Sequence, residues 1–224
     1  MQEKLIYHNP LACTEDVKDF ILEGDASIYF VNGKMRMENN IDPKLGQVSN
    51  FVLWCNKDFP SNIKVSWQFK PIREPGLAMF FFCAQGRDGK SIFDTSIAKR
   101  EGIYKQYYEG DINTYHASYF RRKKQRKFNM CNLRKSHGFH MVASGADPIP
   151  SVRNVNRDYR IMVIKKGAEI SLYIDDLLIF NYIDDGISYG SLLGDGKIGF
   201  RQMAPLIGEY SNLQVLELLD AKIK

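Results

Sequence analysis

The residues best suited to chemistry in this 224-residue chain lie between Gly102 and Arg122. Tyrosines in this segment have flat apolar rings with a polar tip, which suits them to cover the CH face of a pyranose. Amide, imidazole and guanidinium groups stand between them. Such groups can bind sugar hydroxyls, or neutralise a uronate carboxylate while a His or Tyr takes the C5 proton, which is lyase chemistry. The candidate catalytic residues are Asn113, His116, Tyr119 and Arg121. The candidate substrate-binding residues are Trp54, Tyr104, Tyr107, Tyr115, His140 and Arg201.

A structural explanation stays open for each of these side chains taken singly. If Asn113–Arg121 is a strand, Tyr119 belongs to one face and His116 to the other. Both faces mix aromatic rings with strong hydrogen-bonding groups, which is unusual for a plain core. The tyrosines could still be ordinary sandwich residues, Trp54 a core residue and His140 a buried histidine within an apolar run. The density of the whole segment favours a ligand site.

The sequence leaves open whether a bound sugar is cleaved. Glycoside hydrolysis normally takes two carboxylates that flank the scissile bond. No acidic residue occurs between Ile112 and Ala146, so a hydrolase would need carboxylates from elsewhere. The candidates are Asp94, Glu101, Glu109 and Asp111. The residue types fit a lyase somewhat better than a hydrolase, and a non-catalytic, lectin-like binder is the alternative.

One basic segment accounts for the net charge of +5. Lys and Arg dominate Arg121–Lys127, and this run would attract acidic sugars. A run of this kind with aromatic neighbours also resembles a nucleic-acid-binding patch, whose affinity would fall steeply with salt. A solvated loop between strands is the simpler explanation. We therefore expect an oligosaccharide rather than nucleic acid as the partner.

Two further motifs match known patterns but lack the required context. Ala84–Ser91 is close to a phosphate-binding loop, yet the repeated βα units that carry such loops are missing, so a hairpin turn fits better. Gly186–Gly190 matches the nucleophile elbow of α/β-hydrolases. In those enzymes the catalytic His follows the Ser, whereas every His in this chain precedes Ser188. No metal-ligand constellation is visible, and no cofactor is expected.

The elements that must position these residues are predicted to be strands. Ser27–Met37 contains Asn32-Gly33 between alternating apolar arms, which is a strong hairpin signal. Apolar and polar residues alternate along Ile63–Phe69, as in a strand with one buried face. Leu77–Ala84 is apolar on both faces and predicts a central strand. Further strands are predicted within Tyr159–Tyr182, Lys197–Phe200 and Asn212–Leu218.

These patterns predict an all-β jelly-roll sandwich of two antiparallel sheets, forming one domain over residues 1–224. A short N-terminal helix is predicted over Thr14–Glu23, with Thr14 as its N-cap. The chain has four widely spaced cysteines, and its start has no apolar leader. We therefore expect reduced thiols and a cytoplasmic location without a membrane span. The sequence does not indicate an oligomeric state.

Several segments resemble the YesU family of bacterial proteins. They are Gly110–Arg122, Asn132–Ser136, Gly138–His140, Gly145–Pro150, Tyr173–Asp175, Ile198–Met203 and Tyr210–Asn212. This resemblance spans nearly the whole chain and implies a concanavalin A-like, galectin-like jelly roll. It also implies a cytoplasmic or cell-associated protein encoded near genes for the use of pectin, particularly rhamnogalacturonan. The family brings no accepted catalytic residues, so the candidate site rests on the residues themselves.

Overall fold

Two antiparallel sheets pack face to face in the computed structural model, which describes residues 2–123 and 129–219. The strands are β1 Gln2–Asn9, β2 Phe20–Glu23, β3 Ala26–Val31, β4 Lys34–Asn39, β5 Phe51–Phe59, β6 Ile63–Arg73, β7 Gly76–Gly86, β8 Ile112–Arg122, β9 Met130–Ser136, β10 His140–Ala146, β11 Tyr159–Lys166, β12 Glu169–Ile174, β13 Leu177–Ile183, β14 Gly196–Met203 and β15 Ile207–Leu219. The short helices are the 3₁₀ segments Thr14–Val17, Pro43–Ser49 and Val152–Asn154, and the α-helix α1, Lys105–Tyr108.

The strand order is that of a jelly roll. The first sheet runs β13-β12-β11-β6-β15-β4-β3, with β1 also paired to β15, and the second runs β10-β9-β8-β7-β14-β5-β2. Some consecutive strands pair as hairpins, such as β3 and β4, whereas the chain crosses between the sheets at others, such as from β6 to β7. The predicted all-β jelly roll of two antiparallel sheets is therefore confirmed.

Local sequence signals account for individual strands. Asn32 and Gly33 both have positive φ, of 52° and 71°, and join β3 to β4 in a two-residue turn. Buried and less buried residues alternate along Ile63–Phe69 in β6. The apolar run Leu77–Ala84 forms most of β7, which is the middle strand of the second sheet. These three predictions are confirmed.

The predicted helix over Thr14–Glu23 is only partly right. A 3₁₀ turn covers Thr14–Val17, and its first residue follows the N-cap Cys13. Phe20–Glu23 is instead strand β2, which pairs with β5 at the edge of the second sheet. Pairing with β5 gives these four residues ladder hydrogen bonds that a lone helical turn could not supply.

Aromatic side chains from both sheets fill the interior. The ring of Trp67 on β6 lies 4.4 Å from Phe80, 5.2 Å from Tyr119 and 5.5 Å from Phe200, measured between centroids. All four side chains are buried. Burial of rings of this size supplies a large share of the hydrophobic stabilisation. The main core therefore lies between the two sheets.

The outer face of the second sheet, which points away from this core, is also covered. Residues 87–111 connect β7 to β8 and lie across it. A second cluster of buried apolar side chains forms beneath them, and includes Val52, Trp54, Phe81, Tyr107 and Ile112. The outward side chains in the middle of this sheet are thus shielded from solvent by a connection rather than by a third sheet.

All four cysteines are unpaired, and only Cys13 is exposed. Within residues 2–123 and 129–219, no helix is long and apolar enough to cross a membrane.

Candidate functional site

A polar cleft opens at one end of the second sheet, where the strand ends of β7–β10 meet. β7 and β9 finish at this end of the sheet and β8 and β10 begin there, so the connections between them meet. The loop of residues 184–194 closes the opposite wall. The cleft has a volume of about 720 Å³. Its lining includes Gln85, Arg87, Asn113, Lys135, Ser136, His137, His140, Ser188, Tyr189 and Leu193.

An imidazole and a phenol form a flat surface in the cleft. The rings of His140 and Tyr189 are stacked, with centroids 4.5 Å apart and an interplanar angle of 26°. Tyr189 is 41% exposed, so its ring is accessible. Gly138 adopts a φ of 93°, and a Cβ there would lie 2.2 Å from Nε2 of His140. Glycine at this position is therefore what lets the imidazole take its place.

Asn113 attaches the turn between β9 and β10 to the start of β8. Its side-chain Oδ1 accepts a hydrogen bond from the backbone N–H of His137, at 3.3 Å. Asn113, His137 and His140 all line the cleft. His137, His140 and the predicted site residue Asn113 are thus brought to one wall of the cleft.

A buried ion pair holds the loop of residues 184–194 against the sheet. Nζ of Lys135 lies 2.7 Å from Oδ2 of Asp184 and donates to the backbone O of Gly190, also at 2.7 Å. The hydroxyl of Tyr115 donates to the same Asp184 oxygen at 2.5 Å and accepts from the N–H of Leu193. Burial and the hydrogen bond to Asp184 raise the pKa of Tyr115, which stays protonated. The network fixes both ends of the loop that carries Tyr189.

The cleft offers positive charge without an acidic lining. Arg87 contributes a cation, whereas the charge of Lys135 is balanced by its buried partner Asp184, and no carboxylate lines the cleft among the residues that the structure describes. Asp185 lies nearby on the loop and is exposed. Hydrogen bonds from the Ser188 hydroxyl and from the backbone amides of Ile187 and Ser188 lower the pKa of Asp185 to about 2. That carboxylate therefore shapes the loop.

Of the ten predicted site residues, Asn113 and His140 line this cleft. Tyr119 and Tyr115 instead point into the core between the sheets and have no exposed surface. A β-bulge in β8 makes Ser118 and Phe120 the partners of consecutive β7 residues, so Tyr119 is the extra residue. The simple alternation expected along β8 breaks there, and both Tyr119 and Phe120 face the core. This corrects the predicted substrate-binding role of Tyr115 and the predicted catalytic role of Tyr119.

Trp54, Tyr107 and Arg201 lie on the outer face of the second sheet, but residues 87–111 bury them completely. Trp54 Nε1 and the Tyr107 hydroxyl both donate to Oε2 of Glu23, at 2.9 Å and 2.8 Å. Arg201 donates to the backbone O of Gly102 at 2.7 Å, and burial lowers its pKa. These side chains are corrected from predicted sugar contacts to parts of a buried polar network.

His116 lies in the same covered region and is 1% exposed. Its Nε2 is 2.7 Å from the hydroxyl of Tyr104, a half-buried residue. Burial, followed by the charges of Arg134 and Arg201, lowers the pKa of His116 to about 3. The tautomer of the neutral ring decides which of the two groups donates in this hydrogen bond. His116 cannot reach a substrate or serve as a general base at neutral pH, which corrects its predicted role.

This burial predicts a specific pH dependence of stability. The unfolded chain protonates His116 below its ordinary pKa of 6.5, whereas the folded chain does so only near 3. Stability therefore falls as the pH drops through that window, by up to about 1.4 kcal/mol per pH unit from this one group. We expect His116→Asn to remove this contribution in urea unfolding measured across the window. The same substitution at the exposed His8 is the control, and equal pH profiles for wild type and His116→Asn would contradict the assignment.

Arg121 is half-buried on β8 and does not line the cleft. The basic run that begins with it has two further described members. Arg122 is buried in an ion pair with Asp147, and Lys123 is exposed. Residues 124–127 of the run lie outside the described residues.

The cleft residues that the sequence reasoning missed come mainly from turns. Arg87 lies in the turn after β7. Tyr189 lies within Gly186–Gly190, the segment whose match to the nucleophile-elbow motif was rejected on the order of its residues. The glycines around both could have marked these turns as places of close backbone approach. Within the described parts of the chain, no group of three or more His, Cys, Asp or Glu is arranged to hold a metal.

Comparison with known proteins places the chain in a family. A family model described as "Domain of unknown function (DUF1961)" matches residues 4–215. The uncharacterized protein YesU of Bacillus subtilis (strain 168) is 45% identical over 212 residues, which is 94% of each chain. The crystal structure of a Bacillus subtilis protein of unknown function with a galectin-like fold is 44% identical, with a TM-score of 0.93, and covers 97% of this chain and 98% of that one.

The carbohydrate-binding module CBM66 from Bacillus subtilis is 14% identical, with a TM-score of 0.54 over 89% of this chain and 96% of that one. At this identity it shares the fold alone. The resemblance to the YesU family noted in the sequence is confirmed. The chain belongs to the DUF1961 domain family.

Proposed function

We propose that this protein binds an acidic oligosaccharide in the cleft at the end of the second sheet. The observation that carries the proposal is the make-up of the cleft. A stacked imidazole–phenol surface stands among amides and the guanidinium of Arg87, without a carboxylate from the described residues. Such a surface suits the apolar face of a sugar ring, and the guanidinium suits its carboxylate.

The strand ends of the second sheet and the loop of residues 184–194 supply complementary groups for this ligand. Tyr189 and His140 offer ring faces, while Asn113 and Gln85 offer amide groups. Arg87 makes no ion pair with the described residues, so its guanidinium is available for a bidentate contact. The fold is shared with a carbohydrate-binding module, which supports sugar binding in general.

β-Elimination is the second candidate, because the cleft holds the residue types that this reaction needs. A cation or amide can neutralise a uronate carboxylate while His137 or His140 takes the acidified C5 proton. The C4–C5 double bond then forms as the C4–O bond breaks, and the leaving oxygen takes a proton from water. The sequence predicted this lyase chemistry from residues 113–121. In the cleft, Asn113 is the only member of that predicted set, and the histidines come from the turn between β9 and β10. Glycoside hydrolysis is less well supported, because none of Asp94, Glu101, Glu109 and Asp111 lines the cleft.

The oligosaccharide that we propose comes from the plant wall and is of the rhamnogalacturonan or pectin type. Its uronate residues would supply the carboxylates that the cleft favours. The resemblance to the YesU family supports this choice, and so does the proposal of a cytoplasmic location, where short imported oligosaccharides would be met.

One incubation separates these functions. The protein is mixed with galacturonate and rhamnogalacturonan oligosaccharides, and with the same oligosaccharides after reduction of their carboxyl groups. Binding is measured by calorimetry, and products by reducing ends and by absorbance of new double bonds. We expect binding of the acidic forms at least tenfold tighter than of the reduced forms, about 1.4 kcal/mol.

The product measurement then assigns the activity. Reducing ends and double bonds that rise together identify a lyase, and saturable binding without products identifies a lectin-like protein. New reducing ends without double bonds would mean hydrolysis and contradict the second candidate. Equal affinity for acidic and reduced forms, or no binding to either, would overturn the proposal itself.

A further inference from the structure

A second surface with sugar-binding character lies next to the cleft. Three aromatic rings cluster on the outer face of the second sheet, and we name them, with two arginines described next, the aromatic–arginine patch. Tyr104 lies 5.1 Å from Tyr108 and 5.7 Å from Phe139, and Tyr108 lies 4.7 Å from Phe139, between ring centroids. Phe139 is 49% exposed, so part of this aromatic cluster is accessible to a ligand.

Guanidinium groups surround these rings. Arg134 lies 3.7 Å from the centroid of Phe139 and donates to its backbone O at 3.0 Å. Arg201 lies beneath the patch, 5.0 Å from the centroid of Tyr104. Phe120, the residue before Arg121 on β8, faces the core between the sheets, so Arg121 faces the outer side of the second sheet, where the patch lies. Arg121 and Arg134, both half-buried, complete the patch.

The positive charge of the patch has no counter-charge. Arg121, Arg134 and Arg201 form no ion pair with any residue in the described ranges, whereas the buried Arg100 and Arg122 each have a carboxylate partner. Three like charges gathered around one tyrosine repel one another. Glu23 offsets part of the charge of the buried Arg201, and an anionic ligand would offset the charges of Arg121 and Arg134.

The patch and the cleft are two sides of one turn. His137 and His140 line the cleft, and Phe139 between them belongs to the patch. The backbone N–H of Gly138 donates to the backbone O of Tyr108 at 2.6 Å, which joins the turn to α1. A ligand longer than the cleft would therefore cross this turn and meet the patch.

We propose that the aromatic–arginine patch is a second subsite, which takes a uronate residue of the oligosaccharide whose other end occupies the cleft. The proposal rests on the proposed function and names the ligand as an acidic chain long enough to span both subsites. The sugar ring would lie on Phe139 and Tyr104, and its carboxylate would meet Arg134 or Arg121 in a charge-assisted contact.

Chain length and charge test the second subsite. Calorimetry compares a galacturonate disaccharide, a galacturonate hexasaccharide and the carboxyl-reduced hexasaccharide. For wild type we expect the hexasaccharide to bind at least tenfold more tightly than the disaccharide. The double variant Arg121→Met, Arg134→Met is expected to lose this gain while keeping wild-type affinity for the disaccharide. Arg121→Met alone should lose part of it, and Arg160→Met, an exposed arginine on the other sheet, should lose none.

Each outcome bears on one proposal or the other. A gain with length that persists in the double variant, or the absence of any gain in wild type, would overturn the second subsite. If the disaccharide does not bind but the hexasaccharide binds through Arg121 and Arg134, the cleft is wrongly assigned and the patch stands. If no acidic oligosaccharide binds, both proposals fail.

Discussion

Replacing Lys135 with methionine is expected to lower the free energy of unfolding by about 3–5 kcal/mol. The side chains of Lys135 and Asp184 are only 2% and 1% exposed, so the substitution leaves a buried carboxylate without its cation. The variant also loses the hydrogen bond from Nζ to Gly190. Denaturant unfolding followed by far-UV circular dichroism measures the change.

Two further variants make this result specific. Lys64→Met removes a more exposed ion pair, that of Lys64 with Glu3 at 3.0 Å, and should cost about 1 kcal/mol or less. Adding Asp184→Asn to Lys135→Met removes the stranded charge and should restore much of the lost stability. A loss below about 1 kcal/mol for Lys135→Met would show that the pair is not buried as described.

Arg87→Met is expected to weaken binding of a galacturonate disaccharide by about tenfold to a hundredfold. The substitution keeps an unbranched side chain and removes a guanidinium that has no carboxylate partner among the described residues. Arginines that pair with a ligand charge are frequent energetic hot spots, and losses of about 2 kcal/mol are common for them. Calorimetry at low and high salt measures the effect, which should shrink as screening increases.

The specificity of this effect distinguishes charge recognition from general damage to the cleft. Affinity for the carboxyl-reduced disaccharide should be the same in wild type and Arg87→Met. Arg160→Met carries the same change of charge on the first sheet and should leave both affinities unchanged. An equal loss of affinity for the acidic and the reduced disaccharide would mean that Arg87 maintains the shape of the cleft and does not bind a carboxylate.

The two expected results concern different parts of one site. Lys135 acts through the position of the loop of residues 184–194, and Arg87 acts through direct contact with the ligand that we propose. Lys135→Met should therefore also disturb the His140–Tyr189 stack, visible as a change in the imidazole proton shifts of His140. Arg87→Met should leave those shifts in place.

Much of the fold could be predicted because short segments carry it. Asn32-Gly33 dictates a tight hairpin through positive φ angles, and the alternation along Ile63–Phe69 dictates one buried face. Two of the ten predicted site residues, Asn113 and His140, lie in the cleft. These features depend on neighbours in sequence, so periodicity and turn chemistry suffice to find them.

The tertiary structure alone decided which of the predicted side chains meet solvent. Alternation tells which residues share a face of β8, but not that residues 87–111 cover its outer face and bury His116 and Arg201. It also could not show the bulge at Tyr119, after which Phe120 faces the core as Tyr119 does. The cleft itself depends on the pairing of Lys135 with Asp184, residues far apart in sequence. Contacts of that range follow from packing, which no local pattern encodes.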